Sequence, residues 1–381
     1  MRINQESIQR EAVQALNKFA CYPHNVCSRI TQAGGLDALS ECARVCGGKT
    51  RDVAIQAIGN IAADCSACRR EICCSGVVAV LINLLSDHLC MKQYSVENLL
   101  RTTAVVFENG TSMIDPQLTS KAIRCLYPLL FSTSDAVRRL ATSCISQIVY
   151  GRFNEVQINL LLSVEGLLTR LLQLLEDPET STSALLTIGR IVAGNDQQTQ
   201  RVLDAGVIPR LVSLYKCHQR DKNRCRDIGW ILSNLAAGNE VQIEHLFNCR
   251  HIVPIILELS RSDERSVRVE ACWAASNAFH RASPRRVIWL CGAILPAIRT
   301  ALDFDMGSAL RENALKAVRT VLVQQPNYVY LLYRTNIMRR VRLIYAKETV
   351  NSEIRGVATH LIAAEDLMFS RTFLPSKFQL Y

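Results

Sequence analysis

Two stretches of this 381-residue chain place an indole and a carboxamide at matched spacing: Gly229-Trp230-Ile231-Leu232-Ser233-Asn234 and Cys272-Trp273-Ala274-Ala275-Ser276-Asn277. Both read Trp-x-x-Ser-Asn. Residues four apart share one face of an α-helix, so each Trp stands beside its Asn. Indole faces can hold the aliphatic stem of a Lys, and the ammonium then gains a cation–π attraction of about 0.5–2 kcal/mol. An Asn side chain both donates and accepts hydrogen bonds, so it can pair with extended backbone in both directions. A carboxylate at the edge of such a ladder would add a charge-assisted hydrogen bond to the cation. This chemistry captures an extended peptide and transforms nothing.

Other chemistries find less support. Cys65-Ser66-Ala67-Cys68 precedes the pair Cys73-Cys74, but a structural zinc site wants four ligands, often from two separated knuckles. No His lies close by in sequence, and free Cys commonly serves as a small buried hydrophobe. We therefore expect no metal and no cofactor. Asn109-Gly110-Thr111 fits a glycosylation acceptor, which is discounted in a chain without a secretory signal. Trp289 lacks an Asn four residues on and reads as a packing residue. There is no Gly-rich phosphate loop, no His-Glu-x-x-His helix and no Gly-x-Ser-x-Gly elbow, so no enzyme is expected.

The elements that must carry the ladder recur along the chain. A turn-like landmark precedes an apolar helix at Ala33-Gly34-Gly35-Leu36, Ser75-Gly76-Val77, Glu165-Gly166-Leu167, Ala205-Gly206-Val207 and Cys291-Gly292-Ala293. Weaker copies stand at Lys121-Ala122-Ile123, Arg250-His251-Ile252 and Asn336-Ile337. After most landmarks an apolar helix is followed by a polar break, a second long helix and a short amphipathic helix. Gly194-Asn195 and Gly238-Asn239 end two of the long helices, where Gly is expected to take the left-handed C-cap conformation. Three helices in about 43 residues is the armadillo period. The expected fold is all-α: an armadillo-repeat, right-handed superhelical solenoid of about nine three-helix repeats, its long third helices lining a concave groove. Residues 1–364 form one continuous domain and 365–381 a C-terminal tail. No Pro-, Gly- or Ser-rich linker interrupts it.

Composition agrees with this organisation. Apolar residues make up 49% and aromatics only 6%, which suits helices packed through aliphatic ridges. No uncharged stretch approaches the length of a membrane span. Met1 to Glu6 has no apolar core of a secretory signal, so an intracellular protein with sixteen reduced cysteines is expected. The net charge of +10 admits acidic proteins, lipids or nucleic acid as partners. The basic residues are spread along helices, with local clusters at Arg281 to Arg286 and at Arg339, Arg340 and Arg342. That distribution reads as a solvated basic face, and no nucleic-acid signature accompanies it.

The sequence resembles the importin α family, adaptors that bind nuclear localisation signals. Ser183 to Gln200 resembles the family's sixth repeat, Asp227 to Asn239 its seventh, Glu270 to Phe279 its eighth and Ala54 to Asp64 its third. The resemblance runs over most of the chain, as repeats two to ten. It implies a minor site made by Trp230, Ser233, Asn234, Trp273 and Asn277, with Glu270 and Asp196 as its acidic residues. Of the family's major site only Asn60 and Asp64 match. Gln14, Gln56 and Thr102 stand where the family has Trp, Lys18 and Val106 where it has Asn, and Arg190 and Leu186 depart at repeat six. The implied partners are proteins bearing Lys/Arg-rich nuclear localisation signals, and the implied location is cytoplasm and nucleus. The family carries an importin-β-binding segment ahead of its repeats. Here repeat two begins within the first dozen residues, so recruitment of importin β in the usual way is not expected unless upstream sequence supplies that segment. No membrane or nucleic-acid partner is expected. The alternative is an armadillo scaffold for protein–protein interaction without import activity.

Overall fold

The computed structural model describes residues 5–22, 24–91, 96–108, 113–151, 154–348 and 353–372. Among them are twenty-four α-helices and no strand. Helix α1 (Gln5–Phe19) is followed by eight groups. They are α2 (His24–Gln32), α3 (Gly35–Val45) and α4 (Gly48–Asp64); α5 (Ser66–Cys74), α6 (Val77–Met91) and α7 (Val96–Phe107); α8 (Pro116–Leu129) and α9 (Asp135–Ile148). Next come α10 (Glu155–Leu162), α11 (Leu167–Gln173) and α12 (Ser181–Val192); α13 (Asp196–Asp204), α14 (Val207–Cys217) and α15 (Lys222–Ala236). The last three are α16 (Glu240–Phe247), α17 (Ile252–Leu259) and α18 (Arg265–Asn277); α19 (Pro284–Ala293), α20 (Leu295–Ala301) and α21 (Ser308–Gln324); α22 (Val329–Arg334), α23 (Ile337–Lys347) and α24 (Glu353–Thr372). Counting α1 as the end of an incomplete group, this matches the nine repeats expected. The group of α8 and α9 shows no first helix among the described residues, and Asn109-Gly110-Thr111 lies outside them. Helix α24 runs on through Ala364.

The contacts divide the chain into two compact units, residues 1–191 and 192–381. In the first, the third helices α1, α4, α7 and α9 pack side by side, and α3, α6 and α8 form a parallel row. In the second, α15, α18, α21 and α24 make the corresponding row. Ile228, Ile231, Leu232 and Leu235 are the buried aliphatic stripe of α15, and Ala271, Cys272, Ala274 and Ala275 that of α18. Small residues on α18 let the two axes come close. Gly229 completes the fit, because a Cβ there would meet the Cβ of Glu270 at 3.0 Å. Burying each large aliphatic side chain contributes about 1.5–3 kcal/mol, and Ile231→Ala would cost about 2–5 kcal/mol.

The landmark glycines have a conformational reason. Gly206 precedes α14 at φ 82°, and Gly34 and Gly166 take the same place at φ 77° and 78°. Asn336, in one of the weaker copies, adopts φ 59° there. Asn is the non-glycine residue that tolerates this left-handed region best. Gly238 behaves otherwise than expected: it has no positive φ. It is small because the side chain of Gln242 folds over it, and a Cβ would lie 2.3 Å from the Gln242 Oε1. The following Asn239 then caps α16. Its Oδ1 accepts from Gln242 N at 3.1 Å while Gln242 Oε1 accepts from Asn239 N at 3.0 Å, a reciprocal capping box. Asn195 and Gln198 repeat the device at α13.

Cys27, Cys68, Cys73, Cys125, Cys144, Cys225, Cys272 and Cys291 are buried free thiols. No single helix among the described residues is long and apolar enough to cross a membrane.

Candidate functional site

Asp221 starts α15 by accepting the Asn223 and Arg224 N–H groups at 3.0 and 3.2 Å. From that start the helical period puts Trp230 and Asn234 on one half-buried stripe of α15. Glu264 caps α18 in the same manner and sets Glu270, Trp273 and Asn277 on the adjoining stripe, also half-buried. The two Trp-x-x-Ser-Asn helices thus lie next to each other in the second unit.

The amides are already ordered. Asn234 Nδ2 donates to the Trp230 carbonyl at 2.9 Å, along its own helix. Asn277 Nδ2 donates across to the Ser233 carbonyl of α15 at 3.0 Å. The Asn277 Oδ1 accepts from Asn313 Nδ2 at 2.8 Å, and Asn313 Oδ1 lies 2.7 Å from His280 Nε2. Three successive third helices are therefore laced by side-chain amides. Asn313 and His280 escaped the sequence reading because neither carries a Trp partner. Ser233 is buried and its hydroxyl donates to the Trp230 carbonyl at 2.8 Å. Ser276 does the same to Cys272 at 2.8 Å. In this geometry the repeated Ser braces the helix behind the Trp-Asn face.

The acidic residues differ in setting. Glu270 is half-buried, and its carboxyl is pushed above the usual carboxylate range by desolvation. Asp227 adds to this, while Arg226 and the nearby Ser233 hydroxyl pull the other way. Arg226 also holds Asp227 at 2.9 Å. Asp196 opens α13, where its carbonyl accepts Gln242 Nε2 at 2.7 Å. Its carboxylate faces Arg281 at 3.3 Å, both side chains being about half exposed. One cation of the basic cluster thus already sits on the expected acidic residue.

Arg286 of that cluster is engaged too. Arg286 pairs with Glu244, reaches Asn248 Oδ1 at 2.7 Å and lies 4.9 Å over the Trp289 ring. Trp289, expected to pack, is 43% exposed and meets Phe247 edge-on, with ring centroids 6.3 Å apart. Arg340 pairs with Asp303 at 2.8 Å and Arg342 with Glu365 at 2.9 Å. The basic face expected to be solvated is in these places a set of ion pairs.

The major-site positions lie in the first unit. Gln14, Lys18 and Gln56 are exposed, while Thr102 and Val106 are buried. Thr102 donates to the Ile55 carbonyl at 3.0 Å and fills the space over Gly59. Asn60 donates to Asn17 Oδ1 at 3.0 Å, and Asn17 in turn donates to Gln56 Oε1 at 3.3 Å. Asp64 faces His24 at 2.7 Å. Arg190 lies 4.0 Å over the Tyr150 ring, and burial lowers its pKa. Its charge is folded onto an aromatic face and does not stand out as a free cation.

No family model matches the chain. It is 28% identical over 254 residues to importin subunit alpha-1a of Oryza sativa subsp. japonica, covering 65% of this chain and 46% of that one. The chain thus spans about half the length of the curated relatives it matches. Among solved structures, an engineered protein superposes with a TM-score of 0.71 at 17% identity, over 96% of this chain and 97% of the other. A designed armadillo repeat protein in complex with the peptide (KR)4 superposes with a TM-score of 0.55 at 22% identity, over 64% of this chain and 99% of the other. The fold is the armadillo-repeat fold, and the chain is a divergent armadillo-repeat protein similar to the importin α subunits.

Proposed function

We propose that this protein is an importin-α-like adaptor that binds Lys/Arg-rich nuclear localisation signals on the face formed by α15 and α18. The observation that carries the reading is the pair of adjacent Trp-x-x-Ser-Asn helices. Trp230 and Trp273 are half-buried, Asn277 bridges the helices, and Glu270 stands beside them. A peptide cation would run its stem along the indoles, and its backbone would take over the amides of Asn234 and Asn277. Glu270 and Asp196 would attract the charge, and Ser233 would hold the Trp230 turn in place. Asn60 and Asp64 would serve any contact in the first unit. The similarity to importin subunit alpha-1a and the (KR)4 peptide held by the designed armadillo protein support this reading. It carries with it a residence in both cytoplasm and nucleus.

The test is a fluorescence-anisotropy titration of labelled (KR)4 at physiological salt, with wild type beside W230A/W273A. Micromolar binding corresponds to about −8 kcal/mol. Binding at that level, reduced tenfold or more in the double variant, is the expected result. Equal binding by both proteins, or by neither, would sink the reading.

A second reading, an armadillo scaffold without import activity, is favoured by the buried Thr102 and Val106 and by Arg281 on Asp196. It predicts that (KR)4 is ignored and that a reporter fused to a Lys-rich signal is not carried into nuclei of permeabilised cells.

A further inference from the structure

The first unit brings together side chains that are dispersed in the sequence. The Nδ1 of His24, at the start of α2, lies 2.7 Å from Asp64 Oδ2 at the end of α4. It lies 3.3 Å from Cys65 Sγ and 3.8 Å from Cys68 Sγ. The two sulfurs are 3.5 Å apart, and Cys68 Sγ is 3.6 Å from Asp64 Oδ2. All four atoms lie within 4.8 Å of one another. We propose that His24, Asp64, Cys65 and Cys68 form a zinc site that staples the start of α2 to the α4–α5 corner.

The distances suit a tetrahedron. Zn–S bonds of about 2.3 Å and Zn–N or Zn–O bonds of about 2.0–2.1 Å give edges of about 3.8 Å between sulfurs, about 3.5 Å from sulfur to nitrogen or oxygen and about 3.3 Å from nitrogen to oxygen. Four of the five measured edges fall within a few tenths of an ångström of these values. The fifth, from His24 to Asp64, is a hydrogen bond that would have to open by about half an ångström on metal binding. The imidazole can make that adjustment, because its side chain is 58% exposed while that of Asp64 is 13% exposed. The exposed His also leaves an entry path, and the buried Cys68 anchors the inner side.

The donor set selects the metal. Two thiolates and an imidazole suit zinc, and magnesium and calcium prefer all-oxygen sites. Local structure favours the thiolates. Cys65 is the N-cap of α5, and its sulfur accepts the Cys68 N–H at 3.3 Å. The positive end of the helix favours negative charge there. On binding, both thiols release their protons to solvent. Zn²⁺ then takes two thiolates, one carboxylate and a neutral imidazole, for a net charge of −1. Cys73 and Cys74, which follow in the sequence, take no part: the Cys73 thiol donates to the Val106 carbonyl at 3.6 Å, and Cys74 is exposed. The missing ligand was a His some forty residues upstream. If zinc holds Asp64, this carboxylate is withdrawn from any peptide contact in the first unit.

The test uses the full chain, reduced and stripped with a chelator. It is then loaded with Zn²⁺ and dialysed for elemental analysis, or titrated with Co²⁺ and followed by absorption. The expected result is one zinc per chain, with a thiolate–cobalt charge-transfer band and tetrahedral ligand-field bands. C65S/C68S should lose both signals, C74S should keep them, and H24A should weaken zinc at least about tenfold. Zinc should also raise the melting temperature of wild type and C74S, that of H24A less, and that of C65S/C68S not at all. Should C65S/C68S fail to fold by circular dichroism, H24A and D64N carry the comparison. Substoichiometric zinc in wild type, zinc retained by C65S/C68S or by H24A at unchanged affinity, or a Cys65–Cys68 disulfide that persists with reductant and zinc present would overturn the proposal.

Discussion

Replacing Arg281 by alanine should tighten the binding of a cationic peptide. Arg281 and Asp196 are 3.3 Å apart, with side chains 54% and 48% exposed. A ligand cation that reaches Asp196 must first displace this resident guanidinium. Exposed pairs of this kind are worth about 0.2–1 kcal/mol. Since about 1.4 kcal/mol is a factor of ten, R281A should bind (KR)4 about 1.4- to 5-fold tighter. The gain should shrink as salt is raised, because exposed charges are screened beyond about 8 Å at physiological ionic strength. Anisotropy titrations of wild type, R281A, D196N and R281A/D196N at two salt concentrations form a double-mutant cycle for the pair. R281A should gain over wild type, and R281A/D196N should gain nothing over D196N. Unchanged or weaker binding by R281A would refute the reasoning. So would a gain that survives the loss of Asp196, since Asp196 would then not be the group uncovered.

Two other predictions concern the same unit. Burial and Asp227 raise the pKa of Glu270 against the pull of Arg226, so this carboxylate loses its charge at a higher pH than an ordinary Glu. Peptide affinity should therefore fall as pH drops into the mildly acidic range, where Lys and Arg do not titrate, and E270Q should bind more weakly at neutral pH with a flatter profile. A parallel fall in E270Q would assign the effect to another group. Gln242 is fully buried, closes the Asn239 capping box and donates to the Asp196 carbonyl. Q242A keeps the Asn239 cap but removes the reciprocal half of the box and the bond to the Asp196 carbonyl, leaving the part-buried Asn239 N–H without its partner, at a cost of about 1–3 kcal/mol. Urea denaturation checks this, and a change below about 0.5 kcal/mol would mean that water replaces the side chain.

The helical period, the landmark glycines and the capping residues are local properties, and they were legible in the chain. Gly206 needs a left-handed conformation whatever surrounds it, and Trp230 and Asn234 share a face because the helix turns once in about 3.6 residues. The repeat count follows from the same regularity, and with it the expectation that α15 and α18 are neighbours. What each side chain does once neighbours arrive was not legible. Gly238 follows the end of α15 as the sequence suggests, but what requires a glycine there is the Gln242 side chain folded over it, not a left-handed cap. Arg190, in sequence only a departure from the family's sixth repeat, lies on Tyr150. Arg281 looked like part of a solvated patch and covers Asp196. The Cys65-x-x-Cys68 pair lacked a His in sequence and finds one at the start of α2, across three helix ends. In each case the deciding partner lies on another element, between forty and eighty-five residues away or, for Gln242, just across the turn into α16. Hydrogen bonds, ion pairs and metal geometry act over a few ångströms of space, and only the stacked helices determine which residues come that close.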